Sequence, residues 1–181
     1  GRDARTAYPW GDDPAPGGDL VFDGASTIYL IRGGRTNENY FSSFVVPSEP
    51  VSQTGSWSRL PVAPGAIGDG GDLTYAQKNK AVYLMHGSTA FSRFDPAPVV
   101  SWTTRQGLPV DPVGGGALEY YPPGDSLYAL EGGTTRFLHY SIIQNSWTIE
   151  TALSLPAAIG WGGSLVYAGD QNGFFALRGN K

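Results

Sequence analysis

The chain has 181 residues, 40% of them hydrophobic and only 15% charged, with 26 Gly, 14 Pro, no Cys and a net charge of −4. That length suits one domain with a sizeable core and excludes a disordered chain, while the lack of cysteine excludes disulfides, thiolate metal sites and cysteine nucleophiles. No basic run exists, so a nucleic-acid groove and a polybasic membrane anchor are not expected, and no apolar run approaches the roughly 18 residues of a membrane-spanning helix.

Residues 1–16 form an N-terminal segment that holds Tyr8 and Trp10. From Gly17 the chain falls into units. The first opens with "GGDLVF", continues with "TIYLIRGG", and reaches Trp57 after an insertion around "PSEPVSQTG" (Pro47 to Gly55). The second has "GGDLTY" at Gly70, "AVYLMHGS" and Trp102. The third has "GGALEY" at Gly115, "SLYALEGG" and Trp147; the fourth begins with "GGSLVY" at Gly162 and ends on "GFFALRGN". Trp10, Trp57, Trp102 and Trp147 are spaced by 47, 45 and 45 residues, and Trp161 falls off this grid. The central aromatics Tyr29, Tyr83, Tyr128 and Phe175 repeat at 54, 45 and 47. Each full unit reads as four short strands, as in "GGALEYY", "SLYALEG", "RFLHYSI" and "SWTIETA". Turn residues such as "PPGDS" and "QNS" separate them, so adjacent strands pair antiparallel. No long segment carries capped helical periodicity.

A period near 45 with four strands per unit is that of a propeller blade. The glycine pair Gly132-Gly133 followed by Tyr140 and Trp147 resembles the kelch repeat. The second unit fits more loosely, with Gly87-Ser88 in place of the pair and Phe94 in place of the Tyr; the first keeps Gly33-Gly34. The resemblance covers roughly residues 17–180. It implies an all-β fold, a β-propeller built of four-stranded antiparallel kelch-like blades: three complete blades at about 17–62, 69–110 and 114–156, and a partial fourth at 162–181. The glycines then allow positive φ at the crowded blade centre, and the Tyr and Trp fill the wedge between blades. Three arrangements stay open: part of a larger ring, a ring completed by another chain, or a small four-bladed ring in which the segment around Trp10 supplies a closing strand. A half blade has an open edge that must be covered.

Catalytic patterns are missing. No G-x-S-x-G, phosphate-binding Gly loop or His-Glu-x-x-His occurs, and no cofactor is implied. His86 and His139 lack metal-ligand spacing. The cross-linked Cys of a copper-radical oxidase propeller is absent, and "SQTGSW" lacks the Asp of the sialidase-type turn. Asp12-Asp13, and Asp69 with Asp72 in "GDGGD", read either as solvated turns or as oxygen ligands for calcium, without a full calcium-loop pattern.

The polar residue before each second-strand glycine is the better clue: Arg32, His86, Glu131 and Arg178 recur at equivalent points. With the adjoining loops they predict one face that collects Arg32, Arg35, Asn37, Glu38, Asn39, Asp72, His86, Glu131, Arg136, Trp161 and Arg178. Loops on a rigid scaffold are where function concentrates. Trp161 reads either as a ligand-stacking residue or as a cover for the open half blade. Three functions follow: a recognition module that binds a protein or glycan on this face; a structural blade set that assembles with another chain through open sheet edges; and a glycan hydrolase or lyase using Glu131 and His86. The composition suits an exported protein.

Overall fold

The computed structural model describes residues 16–34, 39–48, 55–112, 114–169 and 173–180. Trp10, most of the insertion, and Arg35, Asn37 and Glu38 of the expected face lie outside these residues.

The first sheet holds β1 (Asp19–Phe22), β2 (Thr27–Ile31), β3 (Phe41–Val45) and β4 (Ser56–Arg59). The second holds β5 (Gly71–Ala76), β6 (Ala81–His86), β7 (Phe91–Asp95) and β8 (Ser101–Thr104). The third holds β9 (Ala117–Tyr121), β10 (Ser126–Leu130), β11 (Arg136–Ser141) and β12 (Ser146–Ser154), and the fourth β13 (Ser164–Tyr167) and β14 (Phe174–Leu177). Each is an antiparallel meander in chain order. The first strands stand together, β1 against β5, β5 against β9, and β9 against β13. The sheets therefore radiate from a common axis. This is the propeller architecture: three four-stranded blades and, among the described residues, a two-stranded fourth.

The local chemistry explains the meander. The "DGAS" turn between β1 and β2 is closed by Asp23, whose Oδ1 accepts the backbone N–H groups of Ala25, Ser26 and Thr27 at 2.8–2.9 Å. A side chain that satisfies three turn donors favours the hairpin over a continued strand. The insertion interrupts the pattern only in sequence, because Phe44 still lies opposite Trp57, as Phe94 lies opposite Trp102 and Tyr140 opposite Trp147.

Aromatic wedges join the blades. Tyr29 and Phe41 of the first blade meet Phe94 and Trp102 of the second, with Phe41 4.9 Å from Phe94 and 4.8 Å from Trp102 between ring centroids. Tyr83 and Phe91 meet Tyr140 and Trp147 in the same way, at 4.9 and 5.0 Å from Phe91. Each tilted or edge-on pair adds about 0.5–1.5 kcal/mol beyond its buried area. β6 lies between two blades and is buried at every position.

Side chains also bridge the inner strands. Asp19 Oδ2 accepts the N–H of Leu73 at 2.8 Å, Asp72 Oδ2 that of Leu118 at 2.6 Å, Thr74 Oγ1 that of Tyr120 at 3.1 Å, and Glu119 Oε1 that of Tyr167 at 3.1 Å. An innermost strand has no sheet neighbour on its axial side, so its N–H groups need these partners. The blades approach so closely that a Cβ on Gly115 would lie 2.0 Å from the Gly160 carbonyl oxygen, and φ there is +102°. Only glycine fits that space and that backbone.

Candidate functional site

The residue just before each first-strand glycine pair stands at the axial rim: Pro16, Asp69, Gly114 and Trp161 are equivalent positions. The third blade places no side chain there, and the indole of the fourth blade uses the space. A Cβ on Gly114 would lie 2.9 Å from Trp161 Cε2 and 3.0 Å from Cζ2. The indole is thus packed against the Gly114 main chain, yet Trp161 remains 57% exposed. Its backbone is pinned as well, since the Trp161 carbonyl accepts the Asn180 N–H and the Gly160 N–H donates to the Arg178 carbonyl, both at 2.8 Å.

Trp161 borders a cavity of about 680 Å³ that Asp69, Asp111, Gly133 and Ala158 also line. A second cavity of about 270 Å³ adjoins it, shares Asp69 and Trp161, and is lined by the glycine pairs with Asp19 and Asp72. Burial, and next the neighbouring Asp19 carboxylate, hold the Asp72 carboxyl well above its ordinary range. Asp72 is therefore an inter-blade strut with a neutral tendency. Among the described residues, no group of three His, Asp or Glu is placed to hold a metal ion.

The recurring polar residues behave differently from one another. Arg32, His86 and Glu131 are only 5%, 1% and 4% exposed. Arg32 faces the Tyr40 ring at 5.9 Å. His86 Nε2 lies 2.9 Å from Ser92 Oγ, and burial pushes its pKa down. Glu131 forms a forked ion pair with Arg136, at 2.6 Å from Nε to Oε2 and 3.0 Å from Nη2 to Oε1, and its Oε2 accepts Thr134 Oγ1 at 3.2 Å. Asn39 is half-buried and donates from Nδ2 to the Ala63 carbonyl. The contacts of Arg32, His86 and Glu131 tie the end of the second strand to the third strand or to the residue just before it. Arg178 is exposed and donates from Nε to the carbonyl of Ala158, a cavity residue, at 3.1 Å.

Of the sequence-derived face, Trp161 lines the main cavity, Arg178 is bonded to its wall, and Asp72 lines the adjoining one. Sequence reasoning passed over Gly114 and Asp111 and read Asp69 either as a solvated turn residue or as a calcium ligand, in a loop beside the expected face. The signal for Gly114 and Asp69 was present in the column that aligns them with Trp161. Asp111 precedes Pro112 four residues before Gly115, the spacing at which Asp13-Pro14 precedes Gly17, so a signal for it was also present in the repeat.

No protein-family model matches the chain, and no curated protein matches its sequence. Solved structures do. U3-55K shares 13% identity over 90% of this chain and 52% of its own, with a TM-score of 0.55. An auxiliary nutrient binding protein from Bacteroides thetaiotaomicron shares 12% identity over 88% of this chain and 44% of its own, with a TM-score of 0.57. The chain thus spans about half the length of these two chains. Likeness at this identity shows the fold and leaves function to the site.

Proposed function

We propose that this chain is a non-catalytic recognition module of kelch-like blades that binds a glycan at the axial cavity, one sugar ring stacking on Trp161. The observation that carries this reading is the indole packed on Gly114 at the cavity rim with much of its surface open. A pyranose offers an apolar C–H face to such a ring and hydroxyl donors to nearby carboxylates; Asp69 and Asp111 stand at the same cavity. A rigid aromatic platform also loses little entropy on binding. The engagement of Glu131 by Arg136 and of His86 by Ser92 favours binding over acid–base catalysis by those two residues. The likeness in fold to a nutrient binding protein agrees with a ligand-binding role, as analogy.

The test is a glycan array followed by calorimetry on the full chain. Trp161→Ala lowers affinity for any retained glycan by about 30-fold or more, as for an aromatic hot spot, and Asp111→Asn by about tenfold. Unchanged affinity in both variants removes the site. If the array stays blank and a peptide binds with the same dependence on Trp161, the site stands and its ligand is protein.

A further inference from the structure

The axial cavity offers its ligand acceptors rather than donors. Its polar side chains among the described residues are the carboxylates of Asp69 and Asp111. Asp111 is exposed, and its carboxylate has no hydrogen-bond or ion-pair partner among the described residues. Backbone N–H groups of the wall are already engaged within the chain. Gly68 donates to the His86 carbonyl at 2.9 Å, Gly133 to that of Ile159 at 2.7 Å, Ile159 to that of Thr134 at 2.9 Å, and Gly160 to that of Arg178 at 2.8 Å. Arg178, the cation bonded to the wall, gives its Nε–H to the Ala158 carbonyl.

The indole completes the arrangement. A Cβ on Gly114 would lie 2.9, 3.0 and 3.1 Å from Trp161 Cε2, Cζ2 and Cδ2, near-equal distances that set the glycine over the ring rather than at its edge. The opposite ring face is therefore the one left exposed. An indole face attracts an ammonium group held within about 6 Å of the ring centroid. A ligand with neutral hydroxyls alone would desolvate the carboxylates and supply no opposite charge. A ligand carrying its own carboxylate or sulfate would meet like charge.

We infer that the ligand is a glycan with free amino groups, of the deacetylated hexosamine class; this rests on the glycan reading above and narrows it. One ring stacks on the open indole face, and its ammonium group donates to Asp111. Asp69 accepts a further donor of the same ring or the next. A Lys side chain would bring the same ammonium group, but a pyranose also brings the flat C–H face that matches the seat at Trp161.

The test is calorimetry on the full chain with a glucosamine tetramer and its fully N-acetylated counterpart, at a mildly acidic pH where the amines are charged. The amine tetramer is expected to bind about tenfold tighter or more, and Asp111→Asn to narrow that preference to about threefold or less. Trp161→Ala is expected to weaken both, and a galacturonate tetramer not to bind. Equal affinity for the two hexosamine tetramers, with dependence on Trp161 retained, overturns the amine inference and leaves the glycan reading standing. Failure of every glycan to bind overturns both. Binding of the amine tetramer that survives Trp161→Ala is general attraction of a polycation to a chain of net charge −4, and it too overturns the proposal. So does a Lys-bearing peptide that binds through Trp161 where the glucosamine tetramer does not.

Discussion

At the residue scale, the ionisable groups near the axis pull stability in opposite directions with pH. Asp72 is held above its ordinary range by burial and by Asp19. The folded state therefore keeps a proton that the unfolded chain, near 3.8, has released. Its contribution is favourable below that unfolded value and is lost as pH rises through the raised folded one. Asp72→Asn keeps an acceptor for the Leu118 N–H and offers a donor to Asp19. Its urea midpoint at pH 7 is expected to exceed that of the parent. An equal or lower midpoint contradicts the strut role. His86 has the opposite sign. Burial lowers its folded pKa below 6.5, so the unfolded state takes up the proton first and stability falls as pH drops through that value. Replacing it in His86→Gln, which still bonds Ser92, should flatten the urea midpoint between about pH 7 and 5. The sequence showed both residues at fixed places in the repeat. It did not show that Asp72 aims at the next blade or that His86 is enclosed, because both depend on contacts with residues far away in the chain.

At the element scale, tryptophans of one composition have different duties. Trp147 packs on Tyr140 and Phe91 and bonds the Gln106 carbonyl, so it holds two blades together. Trp147→Ala should cost about 3–5 kcal/mol in urea unfolding. Trp161 lies at the rim, 57% exposed, and Trp161→Ala should change stability by about 0.5 kcal/mol or less. Comparable losses in the two variants would mean that Trp161 is a structural cover for the half blade. The spacing of the tryptophans already separated these roles, since only residues on the 45-residue grid can fill equivalent wedges. The place of Gly114 was legible in the column it shares with Trp161, but its function was not, because that function is the absence of a side chain and its partner belongs to the next blade.

Across the whole molecule, the main contacts between blades among the described residues join sequence neighbours, β1 with β5, β5 with β9 and β9 with β13, which makes stability close to a sum of nearest-neighbour terms. β6 is flanked on both faces and buried throughout, whereas β14 is largely exposed on its outer side, with Phe175 at 61% and Leu177 at 69%. Native-state hydrogen exchange should be slowest in β6 and β10 and fastest in β13 and β14. Equal protection of β14 and β6 would show that the exposed face is covered in solution.

The repeat period, the four-strand unit, the antiparallel order and the aromatic columns could all be read along the chain, because they arise from interactions between strands adjacent in sequence and from a pattern copied several times. Tertiary structure alone decided which polar residues are sealed inside, which carbonyl meets which glycine, and where an indole finds a flat seat. Those outcomes depend on how one blade leans on the next, at separations of some 40 to 50 residues, as in the bond from Leu118 to Asp72. The eye-catching glycines and tyrosines, with Trp102 and Trp147, build the scaffold, and the candidate site sits where the repeat is broken by Gly114 and Trp161.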